Sequence, residues 1–211
     1  LNAVLKLISE KVNKNLKYIL VIGIGGSNLG VKAIYDTLYG YFDVIQPNRY
    51  PKIIFVDTND PEFLSILDYF LDSIIKNPEE ILINIISKSG ATTETIVNAE
   101  IIIAKLIKKF SNIHDRIVAT TDFQSKLWLA AEKNGLSLLK IPANVGGRYS
   151  VFSAVGLFPL AAAGININEL LTGARDISKE CVDANDNPVV ISAVVAYLQA
   201  INNRKIHDNF F

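Results

Sequence analysis

Five short apolar runs, separated by longer stretches of helical period, leave this chain few folds to adopt. Tyr18–Gly23 is free of charge, rich in branched side chains and ended by glycine. Lys52–Asp57, Ile81–Ser87, Asp115–Thr121 and Leu136–Ile141 are the other runs. A strand with one wet face alternates apolar and polar residues. These runs are nearly continuous, so both faces of their sheet must be covered. Helical patterns lie between them, over Asn28–Tyr39, Pro61–Leu71, Thr92–Phe110 and Phe123–Asn134, behind a leading helix over Ala3–Lys14. Pro61 suits the first helical position after an Asp60 cap, and Gly135 is a helix stop. From residue 150 onward the pattern is helical, over Val151–Ala163, Asn168–Asp183 and Pro188–Asn202. The order predicts an α/β fold: a three-layer αβα sandwich on a five-stranded parallel sheet, Rossmann-like, followed by C-terminal helices. No linker or repeat interrupts it, so residues 1–211 read as one domain with a sizeable core. Residues 41–50 are the longest expected loop.

Charge narrows the partners. Lys+Arg and Asp+Glu both number 21, which points to no nucleic acid and no anionic membrane. Any bound anion must be held locally. Tyr149–Asn168 carries no charge over a length that could span a membrane. Gly156, Pro159, Gly164 and several polar residues interrupt it, and it reads as a buried helix. The single cysteine, Cys181, excludes an internal disulfide and reads as a small helical residue in a reducing compartment. With no leader pattern at Leu1–Val4, a cytoplasmic location is expected. Methionine is absent, even at the start, so the chain is expected to be a processed product or a fragment. His114 and His207 lie far apart, and no metal-ligand spacing links them or Cys181. Lys105, Lys108, Lys109 and Lys126 read as solvated helix faces.

In open α/β sheets, ligands bind beyond the carboxyl ends of the strands. After the first run comes Gly23-Ile-Gly25-Gly26-Ser27-Asn28-Leu29-Gly30. Its glycines let backbone approach a ligand, and the following helix start offers N–H groups to an anion. The dinucleotide fingerprint G-x-G-x-x-G fails, because Asn28 takes its last position. The P-loop pattern fails at Val31, where lysine is required. After the third run comes Ser87-Lys88-Ser89-Gly90-Ala91-Thr92-Thr93-Glu94-Thr95. Hydroxyls and backbone N–H groups converging on a strand-to-helix turn suit phosphate. Ser89 or Thr92 as a simple helix cap is the plainer alternative. After the fifth run, Gly146-Gly147-Arg148 presents a permanent cation on a close-approach turn, able to stabilise an oxyanion. A surface arginine in a flexible loop is the alternative there.

Together these loops resemble the glucose-6-phosphate isomerase family. Gly23–Gly30 resembles its first glycine loop. Ser87–Thr95 resembles the phosphate loop of sugar isomerase (SIS) domains in general. Val145-Gly-Gly-Arg-Tyr-Ser-Val-Phe-Ser-Ala-Val-Gly156 resembles the isomerase signature, the most specific of the three. The resemblance runs from about Tyr18 to Gly164, more weakly to the end. It implies a hexose 6-phosphate substrate, interconversion of D-glucose 6-phosphate and D-fructose 6-phosphate, and neither metal nor cofactor. It implies that Ser27, Ser87, Ser89 and Thr92 hold the phosphate, with Lys88 joining by its ammonium or its N–H. Gly26 lines the first loop. Gly147 and Arg148 lie beside the reacting carbons, Arg148 stabilising an enediolate. It also implies a homodimer for the full-length enzyme.

The family's glutamate base, ring-opening histidine and later lysine have no matching motif here. Proton transfer between C1 and C2 needs a positioned base, so the chain alone is expected to be inactive. Two rivals share parts of the pattern. A non-catalytic SIS sensor of sugar phosphates needs the phosphate loop but not Gly147-Arg148. A nucleotide-dependent enzyme needs one of the glycine motifs that fail.

Overall fold

The computed structural model describes residues 1–182 and 187–202. The chain divides into two compact units, Leu1–Ile165 and Asn166–Phe211. Every expected strand of the first unit is present, as β1 Tyr18–Ile22, β2 Lys52–Val56, β3 Ile81–Ser87, β4 Ile117–Thr121 and β5 Ser137–Lys140. They form one parallel sheet in the order β2-β1-β3-β4-β5. Six helices accompany them: α1 Asn2–Lys11, α2 Leu29–Tyr39, α3 Pro61–Ser73, α4 Thr93–Lys109, α5 Lys126–Lys133 and α6 Ala154–Ala162.

The continuity of the apolar runs is explained by burial on both faces. All seven residues of β3 are buried. Leu20, Ile22, Ile83, Ile85, Ile117 and Ala119 face a layer made by Leu67 and Leu71 of α3, Ala99, Ile102 and Leu106 of α4, and Leu127 of α5. The alternate residues face the other way, where α6 lies against α1, α2 and β1, and α1 against β5. Each fully buried isoleucine or leucine contributes about 1.5–3 kcal/mol by leaving water. That suffices to override the polar residue in the middle of β3: Asn84 is fully buried, and its Nδ2 donates to Val118 O at 3.1 Å and Thr120 Oγ1 at 2.9 Å.

Local chemistry sets the boundaries. Asp60 caps α3 as expected, accepting from Phe63 N at 2.9 Å with Pro61 next in line. α5 begins at Lys126, not Phe123, because Gln124 has φ +61° and cannot be helical; Ser125 caps it instead. α6 begins at Ala154, not Val151, with Ser153 as the cap. The charge-free stretch from Tyr149 thus contains a nine-residue buried helix, α6, that ends before Gly164, where φ is +87°. No helix among the described residues is long and apolar enough to cross a membrane.

Two expectations about polar residues need correction. Residues 41–50 are not a plain loop. They include a short turn, Asp43–Ile45, pinned by a buried ion pair of Asp43 with Arg49 and by the Tyr35 hydroxyl, which donates to Asp43. Burial acts to raise the Asp43 carboxyl, but the Arg49 guanidinium and Tyr35 outweigh it and hold its pKa low. Lys105 and Lys109 are half-buried and bonded, not freely solvated. The sheet order sets α3 against α4, so Lys105 pairs with Asp68 and Asp72, and Lys109 donates to Leu71 O and Asp72 O at 2.7 Å each. Lys108 and Lys126 are exposed.

In the second unit, α7 Ile167–Glu180 is capped by Asn166, and α8 Pro188–Asn202 follows Asn187, whose Oδ1 accepts from Val189 N and Val190 N. Cys181 is the residue that closes α7. Asp183 and His207 lie outside the described residues.

Candidate functional site

From β1 the chain turns to β2 on one side and later returns to β3 on the other. The crevice between the carboxyl ends of β1 and β3 is therefore the switch point where open α/β sheets take ligands. The two loops that the sequence singles out leave β1 and β3 at this place. Ile22 pairs with Ile85, which sets Gly23 beside Ile86. A Cβ on Gly23 would stand 2.9 Å from Ser27 Cβ and 3.0 Å from Ile86 O. Ser27 thus folds back over the end of β1, next to the strand that carries Ser87. Asn28 holds this loop: it is buried, and its Nδ2 donates to Gly23 O at 2.9 Å and Asp57 Oδ2 at 3.3 Å.

The β3 loop distinguishes a cap from a ligand site. Thr92 stands at the N-cap of α4, yet its side chain caps nothing. Its hydroxyl lies instead 3.0 Å from Ser87 Oγ. The N–H groups of the first turn are left without a side-chain acceptor, while two hydroxyls meet in front of them. The simple-cap alternative for Thr92 fails on this geometry. Ser89 does not cap α4 either; its Oγ accepts from Ala91 N at 3.2 Å within the turn. Gly90 has φ +63°, and its Cβ would stand 2.5 Å from Ser125 Oγ, so both conformation and space require glycine. Thr121 anchors the loop from β4, donating to Ser87 O at 2.6 Å. One turn into α4, Thr95 and Asn98 are buried; Asn98 Nδ2 donates to Thr58 O at 3.0 Å and ties the exit of β2 to α4.

The third loop starts from β5, at the sheet's edge, and runs back over the carboxyl ends of the strands. Lys88 Nζ donates to Ala143 O and to Val145 O, both at 2.8 Å. The segment then reaches β1, where Gly147 lies against Gly26. A Cβ on Gly26 would stand 2.3 Å from Gly147 C and 2.6 Å from Arg148 N. Ser150, almost fully buried, fastens the contact by lying 2.6 Å from Gly147 O and 3.2 Å from Gly26 O through its hydroxyl. Arg148 is exposed, and its guanidinium has no hydrogen-bond or ion-pair partner among the described residues. All three sequence-selected loops meet at one end of the sheet. They bring hydroxyls, helical N–H groups, the bonded ammonium of Lys88 and the exposed cation of Arg148, which suits a phosphate dianion next to a developing oxyanion.

Sequence reading missed Asn28, Asn98, Thr121 and Ser150 as supports. It also left open which part of Lys88 acts, and the structure engages its ammonium with carbonyls. A cavity of about 530 Å³ opens between α4 and α5, lined by Ile96, Val97, Ile103, Leu127 and Leu136 among others. Its lining is mostly apolar; Gly90, Ala91 and Thr93 of the β3 loop and Lys126 border it, but Ser87, Ser89, Thr92 and Arg148 do not, so the loop cluster is the better candidate. Among the described residues no group of three or more His, Cys, Asp or Glu could hold a metal ion.

A family model described as phosphoglucose isomerase matches residues 8–208. The chain is 42% identical over 183 residues to a glucose-6-phosphate isomerase of Methanocaldococcus jannaschii, which covers 85% of this chain and 42% of that relative. It is 36% identical over 198 residues to one from Lactobacillus delbrueckii subsp. bulgaricus, covering 90% and 43%. A crystal structure of a glucose-6-phosphate isomerase from Chlamydia trachomatis matches with TM-score 0.75 at 26% identity, over 94% of this chain and 37% of that one. A hypothetical protein from Thermus thermophilus matches with TM-score 0.80 at 29% identity, over 94% and 46%. The chain spans less than half the length of each of these relatives.

Proposed function

This chain belongs to the phosphoglucose isomerase family, and from that membership we propose that it is the sugar-phosphate-binding part of a glucose-6-phosphate isomerase. The observation that carries the reading is the Ser87–Thr92 hydroxyl pair before an uncapped helix, with the Arg148 loop folded over it. In this reading Ser87, Ser89 and Thr92 hold the phosphate with the first N–H groups of α4, and Ser27 approaches from β1. Gly26 and Gly147 keep two backbones in contact so that Arg148 stands at the reacting end. The substrate exchanges a proton between C1 and C2 through an enediolate, whose negative charge Arg148 offsets in a site partly closed to water. The reading assigns the general base and the ring-opening acid to no residue of 1–211. Its homodimeric state and cytoplasmic location belong to the same proposal.

A coupled assay tests it. A family-length protein carrying this segment is expected to convert fructose 6-phosphate to glucose 6-phosphate, detected by oxidation of the product. The 211-residue chain alone is expected to give no turnover. No turnover by the family-length protein would overturn the assignment.

A further inference from the structure

Lys88 follows Ser87 directly out of β3, where a lysine next to a phosphate loop suggests a phosphate ligand. Its ammonium is committed elsewhere. Of its three N–H donors, two reach Ala143 O and Val145 O, each at 2.8 Å. Charge-assisted bonds of this kind are about twice as strong as neutral ones, which opposes withdrawal of the ammonium toward an anion. The bonded carbonyls belong to the segment that leads into Gly147-Arg148. Both ends of this bridge are held. At one end, Asp122 N donates to Lys88 O at 3.2 Å. At the other, Gly147 is pressed on Gly26 and fastened by Ser150. Among the described residues, Lys88 supplies the hydrogen bonds that join the phosphate loop to the Arg148 segment.

We infer that Lys88 is a positioning residue whose ammonium couples occupation of the phosphate loop to the placement of Arg148. The inference rests on the proposed sugar-phosphate site. It gives the non-reacting phosphate a part in the chemistry: its binding energy sets the backbone of Ser87–Thr92, and Lys88 passes that setting to the cation at the reacting end.

The test follows backbone amide signals of the labelled chain during titration with inorganic phosphate and with glucose 6-phosphate. In the unsubstituted chain, signals from Ser89–Thr92 and from Ala143–Arg148 should both move. In Lys88→Met, the Ser89–Thr92 response should persist with affinity within about threefold, while the Ala143–Arg148 response falls at least about fivefold. Lys88→Arg keeps donors for both carbonyls and should restore most of it. If Lys88→Met fails to fold, Lys88→Gln serves in its place and should show the same selective loss. In a family-length enzyme, the same substitution should lower kcat about tenfold or more with KM nearly unchanged. Loss of both responses in a folded variant would make Lys88 a direct phosphate ligand and overturn the inference. An undiminished Ala143–Arg148 response would overturn it as well. Absence of any response in the unsubstituted chain would instead overturn the phosphate-site reading, and the inference with it.

Discussion

A Gly26→Ala substitution is expected to lower the proposed isomerase activity of a family-length protein by about two orders of magnitude while the protein remains folded. The reason is distance. The new methyl would stand 2.3 Å from Gly147 C, 2.6 Å from Arg148 N and 2.7 Å from Gly147 O. Those are backbone atoms, which cannot rotate away as a side chain can. The turn must retreat by roughly 1 Å to reach ordinary contact, and an error of that size at a reacting group costs about a hundredfold. Overpacking of this kind destabilises by about 1–3 kcal/mol, which a domain with so large a sheet core tolerates. Gly147→Ala supplies the control. Its Cβ would meet Gly26 Cα at 3.6 Å, ordinary contact, so its effect should be at least about tenfold smaller. Equal losses in kcat for the two variants would mean that the Gly26–Gly147 contact does not set the site.

Arg148→Ala is expected to lower kcat by about 10²–10³, or about 3–4 kcal/mol, with a much smaller change in KM. The guanidinium is exposed and unpaired among the described residues, so its removal leaves no partner stranded and should scarcely alter stability. In the proposed site Arg148 acts on charge that develops during the reaction, not on the bound substrate. Steady-state kinetics with the coupled assay distinguish the cases. A rise in KM with kcat unchanged would make Arg148 a uniform binding residue.

The sheet was legible because burial on both faces leaves no polar alternation: Ile81–Ser87 could only be a central strand. The start of α3 was legible because Asp60 and Pro61 act on their own neighbours. The start of α5 was not, since nothing local in Phe123 or Gln124 announces a left-handed residue at Gln124. Lys105 and Lys109 of α4 misled for a different reason. Their spacing suits a wet face, and only the sheet order brings Asp68 and Asp72 of α3 against Lys105.

The candidate site, as proposed, divides the same way. Ser87, Ser89, Thr92 and Gly26 stood out because a glycine or a hydroxyl cluster at a strand end has few other uses. Their supports are invisible in sequence. Lys88 bonds to carbonyls 55 and 57 residues away, and Ser150 lies beside a carbonyl 124 residues away. No periodicity or local propensity encodes such pairings; they exist once the strands are ordered.

Calorimetric titration of the chain with glucose 6-phosphate and with glucose, before and after Ser87→Ala combined with Thr92→Ala, tests most directly whether this loop holds a sugar phosphate. Hydrogen bonds to a charged group are each worth about 1.5–3 kcal/mol. The account therefore predicts binding of glucose 6-phosphate, no measurable binding of glucose, and at least a tenfold weakening, about 1.4 kcal/mol or more, in the double variant. Equal affinity for the two sugars, or unchanged affinity in the double variant, would contradict it.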